Sequence, residues 1–328
     1  MVVGPAVGCG WHGCHPNHVF FDNIVAGDYF GGMATFTSSQ IPSQSGRTFV
    51  ITGANSGIGR AAARALAARG ARVVLAVRNV DKGRAAAAGM PGEVEVRRLD
   101  LADLASVRGF VAEFAGPVDV LVNNAGVMIP PFGRTADGFE LQFGTNHLGH
   151  FALTNLLLPR IRSRVVTVSS SGHRSGRIEF GDLNWERRPY RAMAAYGQSK
   201  LANLLFTSEL QRRLAGAGSA VIATAAHPGL AATNLLESSG RLGGFDRVRK
   251  SVAGRLAQSE EDGALPTLYA AVADVPGDGY AGPGGFLEGR GAPKLVGRSA
   301  RARDAEAARR LWRVSEELTG VAFPAGSF

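Results

Sequence analysis

From residue 47 onward, short runs of apolar and β-branched residues alternate with longer segments in which Ala and Leu recur at helical spacing. The runs predict strands over 47–52, 72–77, 93–99, 118–123, 164–169 and 219–225, with a short last strand near 285–287. Between them the helical period predicts helices over 57–69, 80–88, 103–115, 137–162, 196–214 and 260–273, and a C-terminal one over 301–318. Strands this apolar are buried on both faces, and helical crossovers join them, so the pattern specifies a parallel sheet covered by helices on both sides. The expected fold is α/β: a doubly wound parallel sheet, Rossmann-like, of about seven strands, in a single domain over 45–328 without repeats.

Residues 1–44 break the pattern. They carry both cysteines of the chain, Cys9 and Cys14, three of the seven histidines (His12, His15 and His18) and a Gly/Ser-rich run without sustained period. Cys-x4-Cys with crowded His lacks the second ligand pair of a structural zinc site, so no metal is expected. The stretch reads as a disordered leader dispensable for the fold, with Met33 as a plausible natural start. With no cysteine beyond it, the body of the chain forms no internal disulfide and stands on packing alone.

Charge narrows the function further. The net charge is +9: residues 1–46 carry no Lys or Arg against Asp22 and Asp28, 47–240 carry 23 basic against 14 acidic residues, and 241–328 carry 13 against 11. An excess spread along a domain is not the basic arm or module of a nucleic-acid binder, so no nucleic-acid partner is expected, and it suits an anionic cofactor. No run approaches the ~20 apolar residues of an integral membrane span, and the first 32 residues lack the pattern of a secretory signal. A cytoplasmic location is the resulting expectation.

Two stretches carry the candidate chemistry. Gly53, Asn55, Ser56, Gly57, Ile58 and Gly59 follow the first strand and open the first helix, where backbone can approach a pyrophosphate and the helix N-terminus supplies positive dipole. The second strand ends Val77-Arg78 with no carboxylate to bind a ribose 2′-hydroxyl, so a 2′-phosphate is the better match and NADP(H) the expected cofactor. Arg60, just past the glycine turn, reads either as a second phosphate partner or as a surface helix residue. Tyr196 and Lys200 stand four residues apart on a predicted helix, a rise of ~6 Å on one face. A cation beside a phenol favours the phenolate, which brings a group that ordinarily titrates near ~10 toward neutral pH as an acid or base.

Taken in order, TGANSGIG at 52–59, Asp100-Leu101, NNAG at 123–126, TNHLGHF at 145–151, VSS at 168–170, YGQSK at 196–200 and HPG at 227–229 resemble the short-chain dehydrogenase/reductase family over about 46–320. AVRN, TNHLGHF and the C-terminal LWRVSEELTG resemble its branch of retinol dehydrogenases and protochlorophyllide reductases. The resemblance implies Asn146, Ser170, Tyr196 and Lys200 as the catalytic set, with Ser171 as the fallback serine. It implies that Asp100 and Leu101 hold the adenine, that Asn123, Ala125 and Gly126 bring the turn after strand four to the cofactor, and that Pro228, Gly229 and Thr233 grip the nicotinamide carboxamide. Lys200 would lower the Tyr196 pKa and bind the ribose, while the Asn146 backbone would hold a relay water.

The implied reaction is hydride transfer between NADP(H) and a small-molecule carbonyl or alcohol. Residues 235–256 take the position of the family's substrate lid, where Leu235, Leu236, Leu242 and Phe245, beside Trp185, suggest a lipophilic ligand. Reduction of a conjugated C=C bond and a non-enzymatic NADP sensor are the competing readings, and the family's pairing through helices leaves a homo-oligomer open. A serine hydrolase is not expected: Ser170 lies in no Gly-x-Ser-x-Gly elbow, and His147 and His150 fall in the apolar helical pattern.

Overall fold

Every residue of the first strand, β1 (Thr48–Thr52), is buried, as a strand covered on both faces must be. It pairs in parallel with β2 (Arg72–Val77) on one side and β4 (Val118–Asn123) on the other, Val50 standing opposite both Val74 and Leu121. With β3 (Val94–Arg98), β5 (Ile161–Val168), β6 (Ile222–Ala226), β7 (Tyr280–Pro283) and β8 (Pro293–Leu295), these form an eight-stranded sheet in the order β3-β2-β1-β4-β5-β6-β7-β8. Only β8 runs antiparallel, against β7. The computed structural model describes residues 1–4, 36–229 and 258–326; the leader and lid expectations therefore lie almost wholly outside the described residues.

Helices cover both faces. Beyond β1 and β2 come α1 (Gly57–Ala67) and α2 (Val80–Ala87); α3 (Leu104–Glu113) follows β3. A continuous helical run after β4 comprises α4 (Leu141–Phe143), a π-helical turn (Gly144–Leu148) and α5 (Gly149–Leu157). Among the described residues, the long α6 (Ala192–Gly216), α7 (Glu260–Val272) and α8 (Ala305–Thr319) complete the set. One core joins Phe49, Ile51 and Leu75 of the sheet to α1 and α7; the other joins Val50, Val74 and Leu121 to α3, α5, α6 and Trp312. Alternate side chains of the same strands thus feed opposite cores. The crossover reverses between β1 and β4, which opens a crevice at their C-terminal ends, the usual binding place of a doubly wound sheet.

The structure corrects the predicted elements at several points. Residues 286–288 form a 3-10 turn, not a strand; Gly284 and Gly285 precede it, and Leu287 (φ 50) and Glu288 (φ 55) adopt the left-handed conformation that ends pairing. The sheet gains its last two strands on either side of this turn. The helix expected from 137 begins at Leu141, because the Glu140 carboxylate accepts the N–H groups of Gln142 and Phe143 and caps it there. β5 begins at Ile161 and α6 at Ala192, each a few residues before its expected start. Packing also begins earlier than residue 45: Ile41 is 1% exposed, and the Gln44 N–H donates to the Arg69 carbonyl at 2.8 Å.

Candidate active site

A cavity of about 900 Å³ opens at the crevice between β1 and β4. Its floor is the turn from Gly53 to Gly59. Gly53 has φ +67 and approaches the β4 turn so closely that a Cβ there would lie 2.9 Å from the Ala125 Cα; a Cβ on Gly59 would run into the Asn124 amide. Gly53 is therefore fixed by contact and by conformation, and Gly59 by contact alone. Ser56 sits at the N-cap of α1, yet its side chain makes no cap bond, unlike Asn79, Asp103 and Asp304 at their helices. An uncapped helix start aimed into a cavity is a site for an anion such as a pyrophosphate.

The cavity is lined by Gly53, Asn55, Ser56, Gly57, Ile58, Gly59, Arg78, Asp100, Leu101, Ala125, Gly126, Tyr196, Lys200 and Pro228, all of them expected from the sequence. Three expected cofactor residues fare differently. Asn123 is 1% exposed and donates its amide to the Thr154 hydroxyl at 2.8 Å; its neighbour Asn124 lines the cavity instead. In a strand the side chains alternate, and Asn123 falls on the face turned toward α5. Gly229 lies beside the cavity, its N–H donating to His227 Nδ1 at 3.2 Å, and Thr233 lies outside the described residues. Lining residues that the sequence reading missed include Asn79 and Lys82. Lys82 stands four residues beyond Arg78, and that spacing was the available signal. Arg60 also lines the cavity while pairing with Glu260 at 2.8 Å.

A buried hub holds the two turns together. The Thr52 hydroxyl accepts the N–H groups of Asn124 and Ala125, both at 2.9 Å, and lies 2.9 Å from His150 Nε2. His150 Nδ1 faces the Asn146 carbonyl at 3.0 Å, and a carbonyl can only accept, so Nδ1 carries the proton and Nε2 accepts from Thr52. Burial lowers the His150 pKa to about 4, which keeps the ring neutral. The imidazole thus links the first strand to the helix carrying Asn146.

The candidate catalytic side chains converge at the other end of the cavity. Of three consecutive serines, Ser169 donates to the Lys200 carbonyl at 2.8 Å and Ser171 is exposed, whereas the Ser170 side chain pairs with the Tyr196 phenol. Gly172 leaves room for that ring: a Cβ there would lie 3.2 Å from Tyr196 Cε1. Lys200 is 4% exposed, with Nζ 5.7 Å from the Tyr196 ring centroid and donating to the Val168 carbonyl at 3.1 Å. Asn146 is fully buried and fully partnered. Its Oδ1 accepts the Val127 N–H at 2.8 Å, and its amide donates to the Val127 carbonyl at 3.0 Å and the Ser199 hydroxyl at 2.9 Å. Ser199, within the YGQSK stretch, in turn donates to the Tyr196 carbonyl at 2.8 Å.

The electrostatics differ from expectation in one respect. Burial pushes the Tyr196 phenol up, with the Ser170 hydrogen bond opposing, and burial lowers Lys200 to about 8. Desolvation outweighs the nearby cation because the ammonium is aimed at the Val168 carbonyl and not at the phenolic oxygen. A phenol held in its neutral form is a proton donor.

An uncapped helix start, a switch-point cavity and a Ser–Tyr–Lys cluster at its far end are the arrangement a nicotinamide-dependent oxidoreductase requires. The chain belongs to the short chain dehydrogenase family, whose pattern it matches over residues 47–241. It is similar to human (Homo sapiens) retinol dehydrogenase 13, at 44% identity over 315 residues covering 92% of each chain. It is also similar to mouse (Mus musculus) polyprenol dehydrogenase, at 42% identity covering 87% of this chain and 88% of that one. A crystal structure of an uncharacterised protein from Mycobacterium paratuberculosis superposes with a TM-score of 0.78 at 54% identity, covering 88% of this chain and 99% of that one. The activity of this family is hydride transfer between a nicotinamide and an alcohol or carbonyl, and the chain is an oxidoreductase of that kind.

Proposed function

We propose that the protein is an NADP(H)-dependent reductase or dehydrogenase of a lipophilic carbonyl or alcohol. The observation that carries this reading is the pairing of Ser170 with a neutral, buried Tyr196 phenol in the cavity whose opposite end is an uncapped helix start. When bound, the cofactor would supply or accept the hydride. In the reductive direction Tyr196 donates its proton to the oxygen that becomes the alcohol, and Ser170 hydrogen-bonds the same oxygen as charge develops on it. Lys200 holds the ribose hydroxyls and offsets the charge left on Tyr196, while Asn146 fixes the Val127 backbone at the edge of the site.

Preference for NADP(H) is supported by Arg78 and Lys82, two exposed cations at the cavity edge without an ion-pair partner among the described residues. A lipophilic substrate is supported by the names of the relatives and by an aromatic cluster that the segment after Gly126 joins. There Phe132 is 48% exposed and packs edge-on against Tyr190, ring centroids 5.2 Å apart, and Tyr190 packs on Trp185 at 5.6 Å. Met193, 55% exposed, stands in the first turn of α6. The test is a panel of long-chain and short-chain alcohols and carbonyls assayed with NADPH and NADH in parallel, repeated with Tyr196→Phe. The expected result is turnover with lipophilic substrates and NADPH, lost in the variant while NADPH binding persists. Undiminished turnover by Tyr196→Phe sinks the assignment of Tyr196.

A further inference from the structure

A second cluster of titratable side chains lies behind Ser170 and Pro228, and the reaction described above makes no use of it. His173 Nδ1 faces the Ser170 carbonyl at 2.7 Å, and its Nε2 accepts the Ser299 N–H at 3.3 Å, so the proton is on Nδ1 and the ring holds the Ser170 backbone from below. His227, fully buried, has the opposite tautomer. Its Nδ1 accepts the Gly229 N–H at 3.2 Å, which leaves the proton on Nε2, 3.1 Å from Glu288 Oε2 though not aligned as a linear hydrogen bond. The Tyr280 ring lies between the two imidazoles, its centroid 5.7 Å from His173 and 5.2 Å from His227. Burial lowers both histidines, His227 to about 4, so both rings are neutral at neutral pH.

Glu288 closes the cluster. Besides His227, its carboxylate accepts from Arg174 Nη2 at 3.0 and 3.1 Å, and Arg174 lies on the 3-10 turn (Ser171–Ser175) that begins next to Ser170. The Gln258 amide donates to the carbonyls of both Pro228 and Gly289, so the residue after Glu288 is stitched to the same loop. Glu288 and Leu287 both hold positive φ, a conformation that costs energy in non-glycine residues and persists only where the surroundings enforce it. An ion pair with Arg174 47% exposed adds little to stability in water, so stability alone does not account for this arrangement.

We propose that Glu288 is a positioning residue for hydride transfer: one carboxylate ties the turn carrying Ser170, through Arg174, to the turn carrying Pro228 and Gly229, through His227. The two turns flank the end of the cavity where Tyr196 and Lys200 stand, so the carboxylate sets the spacing between the hydroxyl pair and the backbone against which the nicotinamide end of the cofactor would rest. The inference rests on the roles given above to Ser170 and Tyr196. Gly282 is part of the same arrangement, since a Cβ there would collide with the His227 ring.

The test compares the full-length protein with Glu288→Ala and Glu288→Gln. In cofactor-free protein, nitrogen-15 NMR of the histidine rings should show His227 as the Nε2–H tautomer. Glu288→Ala should keep that tautomer, which the Gly229 N–H fixes at Nδ1, but shift the Nε2 resonance, and Glu288→Gln, which keeps an acceptor, should leave the resonance near its wild-type position. With a substrate, Glu288→Ala should lower kcat by about tenfold to a hundredfold, as misplacement of reacting groups does, while NADPH affinity and Tm stay near wild type. NADPH deuterated on one face at C4 should then show leakage in the variant and none in wild type. An Ala variant with unchanged His227 Nε2 resonance, kcat and facial selectivity overturns the proposal. If wild type turns over no alcohol or carbonyl, the hydride-transfer reading fails by itself, and the NMR comparison still decides whether Glu288 holds His227.

Discussion

Lys200 places a charge almost wholly out of reach of water, and that cost should be measurable without any substrate. Its pKa in the folded protein is about 8, against 10.5 ordinarily, because burial disfavours the ammonium. The sign follows from proton counting. Between about pH 8 and 10.5 the unfolded chain keeps a proton that the native chain has released, so stability from this group rises with pH across that window, and below about 8 the native state bears the full cost of the buried charge. The gain is on the order of 3 kcal/mol. Cofactor-free Lys200→Met should therefore melt higher than wild type at pH 7, with the difference shrinking as pH rises toward 10.5; a pH-independent difference would show that Lys200 titrates normally. At the adenosine end, Lys82→Ala should weaken NADPH binding by about tenfold to a hundredfold, the worth of about 1.5–3 kcal/mol for a charged hydrogen bond, and leave NADH binding almost unchanged. Equal weakening of both cofactors in a titration would place Lys82 away from the 2′-phosphate. These single-residue effects were legible in unequal measure. Tyr196, Lys200 and Ser170 stood out because their spacing repeats a known pattern. The Thr52–His150 link joins residues 98 positions apart, and only the fold brings them together.

At the scale of elements, glycine separates positions that shape the site from those that merely fill a helix. Gly53 has φ +67 and a neighbour in the Ala125 backbone 2.9 Å from where a Cβ would go, so Gly53→Ala adds strain and a clash in one step. A loss of about 1–3 kcal/mol in stability is expected, together with weaker NADPH binding, because the β1 turn would move off the β4 turn. Gly109, in the exposed stretch of α3, has open space around it, and Gly109→Ala should raise stability by about 0.5–1 kcal/mol with no effect on the cofactor. Chemical denaturation of the two variants checks both signs, and a destabilised Gly109→Ala would mean the helix is not as placed. The strands and crossovers of the first half were readable from apolar runs because a doubly covered parallel sheet writes the same signal five times over. The hairpin around 286–288 was not: its apolar pair, Phe286 and Leu287, looks like a strand in sequence, yet both side chains are exposed on a turn whose positive φ values no composition reveals. The π turn at Asn146 was equally invisible, since it depends on one extra residue within an otherwise continuous helical pattern.

For the whole molecule the open matter is where the folded body begins, and the packing gives a sharp expectation. The body extends from Thr35 to Phe328. Phe36 packs edge-on against Tyr269 of α7 at 5.3 Å, Ile41 is 1% exposed within the core that joins the sheet to α1, and Gln44 bonds the end of α1 through the Arg69 carbonyl. Sequence alone placed the boundary at 45 because polar, Ser-rich residues surround Ile41 and hide a single buried anchor from any periodicity. Removing residues 1–34 should leave Tm and NADPH affinity at their wild-type values. Removing 1–44 takes away Ile41, whose loss from a packed core costs about 2–5 kcal/mol, and exposes the α1 and α7 side chains it covers. The longer truncation should therefore melt several degrees lower, and Ile41→Ala in the full chain should reproduce most of that drop. If the point variant is silent while the longer truncation is not, the stabilisation lies in the Phe36 and Gln44 contacts, and a Phe36→Ala variant would then carry the difference. Equal Tm for both truncations would mean that the segment does not pack where the core contacts place it.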